Sequence, residues 1–191
     1  MKIEIIQKLL KDGMIVEEET DIVEYGLRNM LHNLVGISIT LIIGCIFGNL
    51  KEGGILLFLI FPLRKYAGGF HANTRKGCLF SSICLLVISF EIFFKIKWTS
   101  GECMFLSIIF FFIILVLVPV ENPIKPLDNL EHRAYGRRAK TILIVELVML
   151  GVSLLLKWKR LMIVITMNFC MVGIILIAGM IKLKYYCKKG K

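Results

Sequence analysis

Several features that mark soluble enzymes and regulators are missing from this sequence. It has no Cys-x-x-Cys pair, so a structural zinc site has no framework. It has no Gly-x-x-x-x-Gly-Lys-Ser/Thr loop, so nothing cradles a nucleotide phosphate and no cofactor is expected. Low-complexity tracts, internal repeats and dividing linkers are absent, which argues against an array or a multidomain chain. Acidic residues are scarce, 14 against 24 Lys and Arg, giving a net charge of +10. Near the start, Lys2, Glu4, Lys8, Lys11 and Asp12 leave no uncharged apolar stretch of the kind a cleaved signal peptide needs, so the N-terminus is expected to stay on the protein.

What is present is largely apolar. Hydrophobic residues make up 57% of the 191, and the mean hydropathy is +0.78, well above that of a soluble domain. The cations flank apolar runs instead of gathering on one face with aromatic platforms, which argues against nucleic acid as a partner. Apolar runs lie near 33–50, 54–62, 79–94, 103–120, 142–156 and 161–181. Spanning ~30 Å of hydrocarbon takes about 20 helical residues, so the last run crosses easily and 54–62 falls short. That short run, bounded by Gly53, Gly54 and Pro62, reads as re-entrant or as half of a pair. The expectation is an all-α, polytopic integral membrane protein with about six transmembrane or re-entrant helical segments, one domain over residues 1–191. Residues 1–32 form an amphipathic interfacial region, 33–181 the membrane segments and 182–191 a basic tail.

Loop charge sets the orientation. With six crossings, 18 of the Lys and Arg fall on the side of both termini and 6 on the other, which puts both termini in the cytoplasm. Trp98 and Trp158 fall in outer loops, while Tyr66, Tyr135, Tyr185 and Tyr186 flank inner ends, as interfacial belts require.

The densest polar stretch runs from Leu63 to Cys78 and holds Arg64, Lys65, Gly68, Gly69, His71, Asn73, Thr74, Arg75 and Lys76. On a continuous helix His71 and Cys78 would stand ~10.5 Å apart along the axis, so the chain must turn to unite them. Gly68 and Gly69 permit such a turn, and Asn73 or Thr74 can cap the helix that follows. Cys78 would then sit near the first turn, where the helix dipole, Arg75 and Lys76 favour a thiolate and His71 could take its proton. From spacing alone a structural His and an inert Cys remain the competing reading.

A second block, Val118-Pro119-Val120-Glu121 through Lys125-Pro126-Leu127, leads into a helix that Asp128 and Glu131 could open as a capping box. That helix carries Arg133, Arg137, Arg138 and Lys140, which suit an acidic peptide or anionic lipid. Glu91 and Glu146 fall inside apolar runs, Glu91 one turn from Lys95.

Together, Leu63-Arg64, Ala67-Gly68-Gly69-Phe70-His71-Ala72-Asn73-Thr74, Cys78 and the 118–127 block resemble the signatures of the accessory gene regulator B (AgrB) family of membrane cysteine endopeptidases. Around Asn122-Pro123-Ile124-Lys125 the chain departs from that family's Asn-Lys-Pro pattern. The resemblance implies His71 and Cys78 as the catalytic pair. It implies positioning or substrate-binding roles for Arg64, Gly68, Gly69, Asn73, Thr74, Glu121, Lys125, Arg133, Arg137 and Arg138, and no metal. It further implies a Gram-positive plasma membrane, a cytoplasmic site, a homodimer, and an AgrD-like propeptide cleaved through a thioester and cyclised to a thiolactone or lactone quorum-sensing signal. The rival readings are a peptide exporter and a non-enzymatic membrane adaptor.

Overall fold

The computed structural model describes residues 20–70, 74–120 and 128–189. The described chain is all-helical, with six helices and no strand: α1 (Thr20–Ile46), α2 (Leu50–Ala67), α3 (Arg75–Lys95), α4 (Ser100–Leu117), α5 (Asn129–Leu155) and α6 (Lys159–Lys189). It divides into two compact units, Met1–Ile39 and Thr40–Lys191. Of the first unit only α1 from Thr20 is described, so the expected amphipathic pattern before it lies outside the described residues.

Among the described residues three helices are long and apolar enough to cross a membrane: Lys76–Lys95, Ser100–Leu117 and Lys159–Tyr186. They differ in where their side chains go. The Lys159–Tyr186 segment is 72% buried within the protein, against 22% and 17% for the other two, so α6 is the axis around which the second unit packs and the other two leave most of their surface for lipid. Met162, Val164, Ile165, Met167, Phe169 and Leu176 on α6 are all buried. Around it pack α4, α2, α5 and α3.

Small and hydroxylated residues let these helices approach, as expected where lipid supplies no hydrophobic drive between them. The Phe110 ring of α4 lies directly on Gly173 of α6, where any Cβ would displace it. Ser107 Oγ of α4 donates to Thr166 Oγ1 at 2.9 Å, and Thr166 Oγ1 donates back to Met162 O at 2.8 Å, so both buried hydroxyls are satisfied.

Local signals explain several helix starts. Thr99 and Glu102 form a reciprocal capping box at the start of α4, with Glu102 N–H to Thr99 Oγ1 at 3.3 Å and Thr99 N–H to Glu102 Oε2 at 2.7 Å. At the start of α5, Asp128 N–H donates to Glu131 Oε2 at 3.4 Å, half of the capping box expected there. Glu91 pairs with Lys95 at 2.6 Å on an exposed face of α3. Across the α1–α2 and α5–α6 turns, Arg160 Nη1 donates to Asn49 Oδ1 at 2.8 Å and to Glu52 Oε1 at 2.9 Å.

Three boundaries differ from the sequence expectation. The short run 54–62 is neither isolated nor broken at Pro62; it is the middle of the 18-residue α2, with Pro62 inside the helix. Hydropathy lost the ends because they carry Lys51, Glu52, Arg64 and Lys65, and a proline removes only its own N–H from the ladder. No break separates residues 1–32 from the apolar run that follows, since α1 passes through that point as one helix. The basic tail is not separate either, because α6 continues to Lys189.

Candidate active site

The site is built where α2 ends. Leu63 and Ala67 are fully buried and anchor the last turn, while Arg64 between them is half-buried. Gly68 caps the helix, its N–H donating to Arg64 O at 3.2 Å, with φ +73; Gly69 follows with φ +119. Both angles lie where a side chain is strained, so this turn asks for the two glycines the sequence supplies.

Three backbone hydrogen bonds hold the turn from outside. Val120 N–H donates to Ala67 O at 3.0 Å, and Gly69 N–H donates to Val120 O at 3.4 Å, a short parallel bridge centred on Gly68 and Val120. Phe70 N–H donates to Ile175 O of α6 at 3.0 Å. The two polar blocks singled out in the sequence therefore meet by main chain, and α6 supports both. Side chains are excluded at each contact. A Cβ on Gly68 would collide with Val120 O, one on Gly69 would stand 2.7 Å from Ile175 Cγ2, and one on Gly179 would stand 2.8 Å from both Gly69 C and Phe70 N. At Gly68 and Gly179 the obstacle is backbone and something in the main chain must shift, whereas at Gly69 it is first the Ile175 side chain.

On the far side of the turn, Thr74 caps α3 by accepting the Gly77 N–H at 3.1 Å. Cys78 N–H closes the first intrahelical bond, to Thr74 O at 3.0 Å, which leaves the half-buried Cys78 in the fourth position of the helix. Its carbonyl accepts from Ser81 Oγ at 2.9 Å. The guanidinium of Arg64, across the turn, is close enough to Cys78 for the two groups to interact electrostatically. A sulfur there stands at the positive end of a helix with a second positive charge beside it. Lys76 is exposed, two residues before Cys78 in the same helix.

Above the bridge, the Tyr66 and Tyr135 rings lie 5.8 Å apart, and Arg138 stacks over Tyr66 at 5.5 Å. Gly136 brings α5 against Pro119, where an added Cβ would meet the ring at 3.2 Å. Of the basic residues expected on α5, Arg133, Arg137 and Arg138 are all exposed, and Arg138 stacks on Tyr66 at the site's rim. Lys182 of α6 lies over the Phe70 ring at 5.4 Å.

Arg64, Gly68, Gly69, Thr74, Cys78 and Arg138 are thus gathered around one turn. His71, Asn73, Glu121 and Lys125 lie outside the described residues. Sequence reasoning missed Ile175 and Gly179; the one available signal was an isolated glycine inside a long apolar helix, which marks a close approach without naming what approaches. It also missed Asn168, which donates from Nδ2 to Glu146 Oε2 at 2.8 Å. Among the described residues no group of three or more His, Cys, Asp or Glu could hold a metal ion.

Comparison with known proteins adds independent information. The model of the accessory gene regulator B family matches residues 3–183. The AgrB-like protein 2 of Clostridium perfringens (strain 13 / Type A) is 31% identical over 140 residues, and an AgrB-like protein of Clostridium perfringens (strain SM101 / Type A) is 30% identical over 140 residues. Each match covers 66% of this chain and 65% of the relative, just under two thirds of the relative's length. No solved structure matches the chain.

Proposed function

The chain belongs to the accessory gene regulator B family, and from that membership and the geometry of its turn we propose that it is a membrane cysteine endopeptidase that matures a quorum-sensing propeptide. The observation that carries this reading is the turn after α2, fixed at three backbone points, with Arg64 in the last turn of α2 before it and Cys78 in the Thr74-capped first turn of α3 after it. A nucleophilic sulfur is favoured at a helix N-terminus and near cations, and α3 starts three residues before Cys78.

In the proposed reaction Cys78 Sγ gives up its proton to His71 and attacks the carbonyl carbon of one peptide bond of an AgrD-like substrate. The C–N bond breaks, the amine leaves with the proton from His71, and the N-terminal fragment remains as a thioester on Cys78. An internal Cys or Ser of that fragment then attacks the thioester carbonyl, frees Cys78 and closes a thiolactone or lactone ring. A thioester is a more activated acyl group than the peptide bond it replaces, so ring closure from it by an internal thiol or hydroxyl needs no ATP.

The substrate is proposed to approach along the bilayer surface through an amphipathic helix, with its acidic end drawn by Arg133, Arg137 and Arg138. The site is proposed to face the cytoplasm, and the working form to be a homodimer. The test is cleavage of the propeptide by membranes carrying Cys78→Ala, Cys78→Ser or His71→Ala at wild-type expression. Each should abolish the cleaved fragment. Cleavage persisting in Cys78→Ala would end the proposal.

A further inference from the structure

A second polar contact, away from the turn, joins α5 to α6 inside the bundle. Glu146 is 2% exposed and Asn168 is fully buried, and one hydrogen bond, Asn168 Nδ2 to Glu146 Oε2 at 2.8 Å, links them. The other oxygen of each side chain, Glu146 Oε1 and Asn168 Oδ1, is buried with no hydrogen-bond partner among the described residues. Such orphans are rare, because an unmade bond in an apolar interior forfeits the solvation of the group outright. Here two occur on one contacting pair, and both are acceptors.

An ionised Glu146 makes this worse. The carboxylate would carry a full charge among apolar helices, with no cation paired to it among the described residues. Among the described residues Glu146 has no charged partner, its one side-chain interaction being the hydrogen bond from Asn168. Intramembrane carboxylates without a counter-charge are costly enough that they take up a proton or bind a cation. A single proton on Oε1 resolves the whole arrangement. It cancels the charge, turns one orphan acceptor into a donor, and supplies Asn168 Oδ1 with the bond it lacks, closing a two-bond acid–amide ring.

We propose that Glu146 and Asn168 form a proton-binding site in which the neutral carboxyl donates to Asn168 Oδ1, and that this neutral pair is the polar joint between α5 and α6. Asn168 and Ile175 are seven residues apart and so share a face of α6. The joint therefore steadies, two turns away, the helix whose Ile175 carbonyl holds Phe70. The inference does not depend on the peptidase reading.

The experiment uses the full chain in lipid nanodiscs. Wild-type protein should show the carbonyl infrared band of a protonated carboxyl, and Glu146→Gln should lose it. The Gln amide carries its own N–H and can complete the same ring with Asn168, so Glu146→Gln should unfold within about 2 °C of wild type. Glu146→Ala, which strips Asn168 of both partners, should fall by about 4 °C or more. Replacing Na⁺ by choline should change nothing. The proposal is overturned if the band is identical in wild type and Glu146→Gln, if Glu146→Gln unfolds as low as Glu146→Ala, or if Na⁺ stabilises wild type but not Glu146→Gln. The last result would assign the two oxygens to a cation.

Discussion

Gly179 lies against Gly69 so closely that a methyl group on its Cα would stand 2.8 Å from the Gly69 carbonyl carbon. In this way a residue deep in an apolar helix limits the shape of a turn that ends a different helix. Propensity and packing then make opposite forecasts for the same substitution. In a free helix Gly→Ala is worth up to about 1 kcal/mol of stability. Here the added carbon must push the Gly69–Phe70 peptide away from α6. Gly179→Ala is expected to insert normally and to cut propeptide cleavage by roughly a hundredfold, the scale of a 1 Å displacement at a reacting centre. Gly151→Ala, with nothing within 4 Å of the new Cβ, should leave cleavage unchanged. Equal activity in the two variants, measured as fragment released per unit of protein, would contradict the packing argument.

Gly68 combines two demands that Gly48 separates. Both have positive φ, +73 and +66, but a Cβ at Gly48 meets nothing within 4 Å whereas one at Gly68 collides with Val120 O. Gly48→Ala should therefore cost about 1–2 kcal/mol in thermal unfolding, the conformational penalty alone. Gly68→Ala should cost more and should also abolish cleavage, because it opens the bridge to Val120.

Removing the Arg64 charge should slow the reaction of Cys78 with iodoacetamide. In a background where Cys78 is the one remaining cysteine, Arg64→Gln should lower the alkylation rate at neutral pH several-fold. Arg64→Lys should recover part of it, since the charge returns without the planar fork. Unchanged alkylation in Arg64→Gln would show that the guanidinium does not act on the sulfur.

Two ion pairs in the structure should differ in worth. Glu91 and Lys95 are 43% and 67% exposed and one turn apart, so Lys95→Gln should change stability by about 0.5 kcal/mol or less. Arg160 is itself exposed, but its partners are not: Glu52 is 14% exposed and Asn49 8%. Arg160→Ala leaves both without this donor and should cost about 1–2 kcal/mol. Thermal unfolding in detergent checks the order, and a larger loss at Lys95 would reverse it.

Much of the architecture could be read from the chain because hydropathy and capping are local. Thr74 opens α3 as its side-chain chemistry leads one to expect, and the apolar runs became helices. Helix ends were harder to read, since Lys51, Glu52, Arg64 and Lys65 interrupt hydropathy without interrupting backbone hydrogen bonds. At the candidate site, residues carrying distinctive chemistry stood out: Arg64, the glycine pair and Cys78. Their supports did not, because Val120 and Ile175 act through main-chain carbonyls that every residue possesses, and Gly179 acts by having no side chain. Asn168 was hidden for another reason. A single amide in an apolar run does not announce its partner, and Glu146 lies on a separate helix.

The bond from Phe70 to Ile175 has a consequence for biosynthesis. A ribosome delivers Phe70 long before Ile175, so a nascent chain carries Cys78 into the membrane while the turn beside it still lacks its α6 support. Prematurely terminated chains that stop short of Ile175 would insert yet never complete the turn. On the peptidase reading proposed above, such fragments would hold the sulfur without the assembled site around it.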